Sequence, residues 1–359
     1  MINNITIHGY KSIKELDSLE LRPVNLLVGY NGAGKSNFIS FLKMLKAQFK
    51  GQLQRYIRMN DSSMEQIVHK GTAITPETGG KLDFGDCSYA FSLAAMEDGG
   101  AFFEKELFET AEGRCEYNGG MESRFVQDKT VDFSNLADIR KQIVQWGIYH
   151  LNDTSLTASV KKECVLAPDI HIADDFSNLA SWLYYLKENT PHAYDRIKFN
   201  VSLAFPEFDE FHLQPTTTSN GTEYIRLFWK QKDCDAIFSP NQLSDGTLRF
   251  ICLCAVLMQP SLPPLIVVDE PELGLHPGAI ELMAALLQSA SASSQIIVAT
   301  QSPLLIDQFA FDDLLVIRRN KDESRFERLD EKDYLLWLEN YTIGELWTKN
   351  VIEGGPVHE

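Results

Sequence analysis

The chain has 359 residues, with 33 basic against 50 acidic side chains and a formal charge of −17. As a whole it is repelled by nucleic-acid backbones and anionic membranes, which excludes a polybasic binder. With 44% hydrophobic and 23% charged residues, neither a disordered nor a collagen-like chain is compatible with the composition. The length suits one large domain or two ordinary ones.

The charge is uneven. Residues 1–60 carry nine Lys/Arg and three Asp/Glu, whereas residues 61–133 carry six and fifteen, and residues 261–359 carry seven and seventeen. Six cysteines without a CxxC pair predict free thiols rather than a disulfide scaffold. The start, MINNITIHGYKSIKEL, lacks a signal-peptide pattern. The longest apolar run, Phe250 to Met258, is about half of a membrane span. A cytoplasmic protein without a membrane partner is expected.

In chain order, ITIHGYKSI and VNLLVG read as strands. A turn of small residues follows, then a helix whose apolar positions 38, 41, 42, 45 and 49 recur at helical spacing. Short runs between about 81 and 134, with Gly-Gly pairs at 79–80, 99–100 and 119–120, predict an antiparallel β lobe with hairpins. Residues 177–204 predict two helices broken at Pro191, and 211–230 a hairpin turning at Asn220-Gly221. From there the text alternates: a buried helix at 245–258, strand 265–269, helix 277–290, strand 295–300, helix 303–309 and strand 314–319. Such alternation predicts a mostly parallel sheet. The two ends fold together, with the middle as an insertion.

The strongest motif is Gly29-Tyr30-Asn31-Gly32-Ala33-Gly34-Lys35-Ser36, a phosphate loop between a strand and a helix. Its glycines let backbone N–H groups converge on phosphates at a helix N-terminus. Asn37 follows directly. Lys35 is expected to reach the β and γ phosphates and Ser36 to ligate Mg²⁺. Leu265–Glu270 is an apolar strand ending in two acids: Asp269 is expected to hold Mg²⁺, and Glu270 to polarise the attacking water. Gln242-Leu243-Ser244-Asp245-Gly246-Thr247 precedes a buried helix about twenty residues before that strand, the order and spacing of an ABC signature; as a plain N-cap it would need only Ser244 or Asp245. Pro271–Pro277 stands where a D-loop belongs. Gln301 stands at the γ-phosphate switch, where glutamine can hydrogen-bond but carries no charge.

Through these motifs, and through GYKSI before the phosphate loop, YHLNDTS at 149–155, FSNLASWLYYLKENTPHAYDRI, QLSDGTLRF, PPLIVVDEPELGLHP, ATQSPLLID and GELWTKN, essentially the whole chain resembles the RecF/SMC/OLD branch of ABC-type ATPases, specifically small bacterial AAA_21 ATPases. The resemblance implies an α/β P-loop fold with a mostly parallel sheet flanked by helices, an antiparallel β lobe at 60–148, a helical and hairpin insertion at 150–235 and the C-terminal half of the core at 236–359, all within one head. It implies ATP and Mg²⁺ as ligands, and a head-to-head homodimer in which Ser244, Asp245 and Gly246 of one subunit meet the ATP of the other. By the same resemblance, Lys11 and Ser12 are candidate nucleotide contacts. Gln142 and Gln145 are candidates for the Q-loop.

No heptads and four prolines (Pro168, Pro191, Pro206, Pro215) in the insertion exclude the long coiled-coil arm of SMC proteins. OLD proteins carry a nuclease domain after the ATPase, for which the roughly forty residues after the last strand are too few; a separate nuclease-like effector is expected. The process implied is DNA surveillance, repair or anti-phage defence. The alternatives are an ATPase subunit of a membrane transporter and an ATP-bound scaffold with slow turnover. If DNA binds, Lys43, Lys46, Lys50, Arg55 and Arg58 are the expected contacts. The remaining features read as structural: Cys252 and Cys254 as small core residues, Trp182, Trp229, Trp337 and Trp347 as core, Asp153-Thr154-Ser155 as a capping turn, and Asp330–Asp333 as a solvated helix start. His150, His171, His192 and His212 share no ligand spacing.

Overall fold

Alternation of strand and helix in the two end segments closes, in the computed structural model, into one six-stranded sheet shared by both. The structure describes residues 1–128, 134–150, 153–167 and 171–352; Leu151, Asn152 and Pro168 of the expectations above lie outside them. The sheet order is Glu323–Glu327, Leu314–Asn320, Val24–Val28, Gln295–Thr300, Leu265–Asp269, Gly147–Tyr149. All neighbours run parallel except the edge hairpin formed by the first two strands. Both faces of a parallel sheet are covered, so its strands are apolar along their length. Leu26, Ile266, Val298 and Val316 face one core, with the helices Leu179–Asn189, Pro191–Ala204, Asp245–Leu257 and Pro277–Ala290. Leu27, Val267, Ile297 and Leu315 face the other, with the helix Lys35–Phe49.

The helix Lys35–Phe49 is sandwiched between this sheet and a six-stranded antiparallel one, ordered Ile13–Glu20, Asn4–Tyr10, Glu77–Asp83, Cys87–Ala95, Ala101–Thr110, Gly113–Tyr117. Phe38 meets Phe326 of the parallel sheet at 5.5 Å between ring centroids, and Phe41 meets Tyr10 of the antiparallel sheet at 5.1 Å. The N-terminal run is thus two strands in a hairpin, with Lys11 at φ 49° in its turn. Gly79-Gly80 lies inside a strand, not in a turn: a Cβ on Gly80 would sit 2.8 Å from the Phe41 ring. The helix needs that close approach, and glycine permits it.

Three other expectations are adjusted. The 211–230 segment does not form one hairpin: Thr216–Thr217 pairs with Glu223–Ile225, while Phe208–His212 pairs with Phe228–Gln231 in a second small sheet. The helix after the switch is short, Pro303–Ile306. Trp337 is 45% exposed, whereas Trp182, Trp229 and Trp347 are core. Among the described residues, no helix is long and apolar enough to cross a membrane.

Candidate functional site

The carboxyl ends of parallel strands leave a crevice where ligands bind in open α/β sheets. Here Val24–Val28 runs into the glycine loop, and the helix beginning at Lys35 starts beneath it. Gly34, at φ 124°, adopts backbone favourable only to glycine, and a Cβ there would lie 2.2 Å from Ser324 Oγ. The Ser324 hydroxyl donates to Ala33 O at 2.6 Å and lies 2.7 Å from Ser12 Oγ, which accepts from Asn37 Nδ2 at 2.7 Å. Arg319 Nη1 donates to Gly32 O at 3.1 Å. The edge hairpin and the N-terminal turn therefore brace the loop from outside.

The Lys35 ammonium donates to Gly29 O and to Tyr30 O. Burial lowers its pKa, and Glu270, Asp269 and Glu272 oppose that shift. The cleft, of about 490 Å³, is lined by Asn31, Gly32, Gly34, Lys35, Ser36 and Asn37 on one side and by Asp269 and Glu270 on the other. Gly29 and Ala33 hold the loop itself: a Cβ on Gly29 would lie 2.7 Å from Ile317 O and 3.1 Å from Ala33 Cβ.

Across the cleft, burial raises the pKa of Asp269, with His150 and Lys35 acting in the opposite direction. Asp269 pairs in register with Ala299, which brings the end of strand Gln295–Thr300 beside the acidic pair. Glu270, at φ 46°, donates its N–H to Ala299 O at 2.8 Å. Its Oε1 accepts from Gln301 Nε2 at 3.2 Å. Glu272, buried in the D-loop, accepts from the Thr300 hydroxyl, and Ser302 N–H donates to Thr300 Oγ1 at 2.9 Å. Switch and D-loop are therefore tied to each other through Thr300.

Ser244, Asp245 and Gly246 do not line this cleft. Ser244 caps the helix Asp245–Leu257 by accepting from Thr247 N–H at 3.1 Å, and Ser244 and Asp245 are exposed. A Cβ on Gly246 would fall 2.0 Å from Gly274 O, and Arg249 Nη1 donates to Leu273 O at 2.8 Å. The expected signature and D-loop segments form one platform on the same chain, with Ser244, Asp245, Leu273 and Gly274 exposed and Gly246 and Glu272 buried.

Lys11 pairs with Asp61 at 2.6 Å and lines an adjacent open cleft with Ser12 and Asn37. Gln145 lines a different cleft, beside Lys46 and Trp146, and Gln142 lies in the helix Ser134–Val144. Next to Asp269 stands His150, its Nδ1 3.6 Å from Asp269 Oδ2. The spacing of histidines and carboxylates carries no hint of this neighbour; the parallel register Val268 to Tyr149 creates it. Lys43 also lines the cleft of Lys35 and Asp269, and Lys46 is buried against Asp174, so of the five basic residues expected to contact DNA if it binds, only Lys50, Arg55 and Arg58 are exposed. Asp153 caps a turn through Ser155 N–H at 3.0 Å.

The chain is similar to known proteins in sequence and in fold. The AAA_21 family model, "AAA domain, putative AbiEii toxin, Type IV TA system", matches residues 148–307, and the AAA_15 model, "AAA ATPase domain", matches residues 1–110. The Old nuclease of Escherichia phage P2 is 22% identical over 338 residues, 84% of this chain and 56% of that protein. The chain thus spans little more than half the length of that relative. An Smc head bound to the C-winged helix domain of ScpA superposes with a TM-score of 0.60 at 15% identity, covering 93% of this chain and 99% of that one. An Smc head with an extended coiled coil, bound to the C-terminal domain of ScpA derived from Pyrococcus furiosus, gives 0.57 at 14%, covering 94% and 98%. The fold is that of a P-loop ATPase head of ABC type. Within that class the chain is similar to RecF/SMC/OLD-type ATPases over the matched parts of its length.

Proposed function

We propose that this head binds and hydrolyses ATP between two copies of itself, and that the resulting dimer is a switch in DNA surveillance, repair or anti-phage defence that controls an effector such as a nuclease. One observation carries the reading: Lys35, Ser36, Asp269 and Glu270 converge on one cleft, while Ser244 and Asp245 stand exposed away from it, beside the buried Gly246. A second copy would bring those residues to the γ-phosphate. The loop amides and Lys35 would hold the phosphates. The Ser36 hydroxyl and the buried Asp269 carboxylate are the oxygen donors that Mg²⁺ takes, and the burial that raises the Asp269 pKa leaves a carboxylate that a cation would stabilise. Bound there, the ion would neutralise charge on the β and γ phosphates. Glu270 would accept a proton from the attacking water, with Gln301 holding its carboxylate in place.

The relative in phage P2 is named a nuclease, which supports an effector of that chemistry. The test is Glu270→Gln incubated with Mg²⁺-ATP and sized by light scattering. A stable nucleotide-bound dimer is expected. A monomer under those conditions, or no phosphate release from the wild-type chain, overturns the proposal.

A further inference from the structure

Near the end of the described chain lies an apolar patch that the described residues leave exposed. Leu335 is 55% exposed, Leu336 81% and Trp337 45%, all on the short helix Leu335–Leu338. Large apolar side chains exposed side by side on a folded surface mark an interaction site more often than an isolated exposed leucine does.

This segment is held firmly. On one side Tyr334 packs on Phe311 at 5.2 Å between ring centroids. On the other, the helix Ile343–Thr348 is pinned by Asp307, whose carboxylate accepts from Gly344 N–H at 2.6 Å and from the Thr342 hydroxyl at 3.0 Å. Leu346 and Trp347 of that helix are core. The patch is therefore presented on a fixed platform, which limits the ordering entropy that binding has to overcome.

Its border is acidic. From 330 to 349 stand Asp330, Glu331, Asp333, Glu339 and Glu345 against two cations, Lys332 and Lys349, all of them exposed, with Lys349 over the ring of Tyr341, which meets Trp337 at 6.1 Å. This decides among occupants. A second copy docked on its own patch would set acidic rim against acidic rim, because a two-fold contact is self-complementary. Anionic membranes and nucleic acid are repelled for the same reason. A surface with opposite charge around an apolar centre is attracted.

The geometry points to Leu335, Leu336 and Trp337 as the docking site for a partner protein that presents an amphipathic basic segment, with apolar residues on one face and Lys or Arg at its edges. The aromatic and leucine side chains supply the buried centre and the carboxylates the rim. This surface stands apart from the nucleotide cleft and does not depend on the ATPase reading.

The test uses the full chain without nucleotide and a fluorescent designed helical peptide, leucines along one face and lysines flanking them, followed by anisotropy. Saturable binding is expected, weakened at least about tenfold in Leu336→Asp and falling with added salt. The exposure of Leu336 makes this substitution harmless to folding, checked by an unchanged Tm and unchanged ATP turnover. Equal binding by the variant, or by a peptide with glutamates in place of the lysines, overturns the proposal, as does no binding at all. A wild-type dimer that Leu336→Asp dissociates, or Trp337-dependent binding to lipid vesicles, assigns the patch to another occupant and overturns it too.

Discussion

Gln301 donates a hydrogen bond from Nε2 to Oε1 of Glu270 at 3.2 Å, joining the residue at the γ-phosphate switch to the carboxylate expected to activate water. Strand register brings both near: Asp269 lies opposite Ala299, so Glu270 and Gln301, each the first residue past the end of its strand, leave the sheet side by side. Gln301→Ala should leave Glu270 without this partner and lower kcat by about tenfold, within the range for a lost hydrogen bond to a charged group, with little effect on ATP affinity. Gln301→His should retain most of the rate. A kcat unchanged in the alanine variant would remove Gln301 from the reaction.

Glu270→Gln should slow hydrolysis by about 10²- to 10⁴-fold, the usual contribution of a positioned base, while ATP still binds. Single-turnover phosphate release and equilibrium nucleotide binding separate the two effects.

Gly246→Ala tests the link between signature and D-loop. The new methyl would lie 2.0 Å from Gly274 O, so the two loops have to separate. Because neither glycine lines the nucleotide cleft, ATP affinity of the single subunit should change by less than about threefold, below 1 kcal/mol. Turnover, which on the proposed reading needs the platform of the second copy, should fall by at least about tenfold. Loss of ATP binding in parallel with turnover would count against the two-subunit site.

His150 stands beside Asp269 without touching the glycine loop. His150→Ala should raise the Mg²⁺ concentration needed for half-maximal turnover and reduce kcat by about 10- to 100-fold, as for partners that orient a metal-binding carboxylate. A Mg²⁺ titration of the variant that overlays the wild type would assign His150 a packing role only.

Glu106 is fully buried in the antiparallel lobe, where its oxygens accept from the Tyr89 hydroxyl and from Arg124 N–H, both at 2.7 Å. Burial raises its pKa above 4.5, outweighing those hydrogen bonds. A folded-state pKa above the unfolded one means that the native state binds this proton more tightly. The associated stability is complete at pH values below 4.5 and declines as pH rises through the folded value. Glu106→Gln mimics the protonated carboxyl, so at acid pH its stability should stay within about 1 kcal/mol of the wild type. It should also flatten the dependence of Tm on pH above that range. A parallel profile in wild type and variant would show that Glu106 is not the titrating group.

Much of the fold was legible because it is written locally. The strands Val24–Val28, Leu265–Asp269 and Gln295–Thr300 are short apolar runs between turn residues, and the helices Asp245–Leu257 and Pro277–Ala290 begin at readable capping signals, Ser244 and His276-Pro277. The glycine loop could be recognised because its function depends on consecutive backbone amides, a property of contiguous sequence. Where periodicity misled, a distant contact had overruled local preference. Gly79-Gly80 reads as a turn but serves the packing of Phe41, and Trp337 reads as core but lies on the surface.

By itself, then, the amino-acid order determined the α/β pattern and the expectation of a phosphate loop with Asp269, Glu270 and Gln301 as its partners, since each is read from neighbours within a few positions. Tertiary structure alone decided which residues surround them. Ser324 reaches Ser12 across 312 residues to brace the loop, His150 meets Asp269 through the pairing of Tyr149 with Val268, and Lys46 is taken from the expected basic face by Asp174. Sheet order and register set those distances, and both follow from which apolar faces pack together, a choice made by the whole chain rather than by any segment.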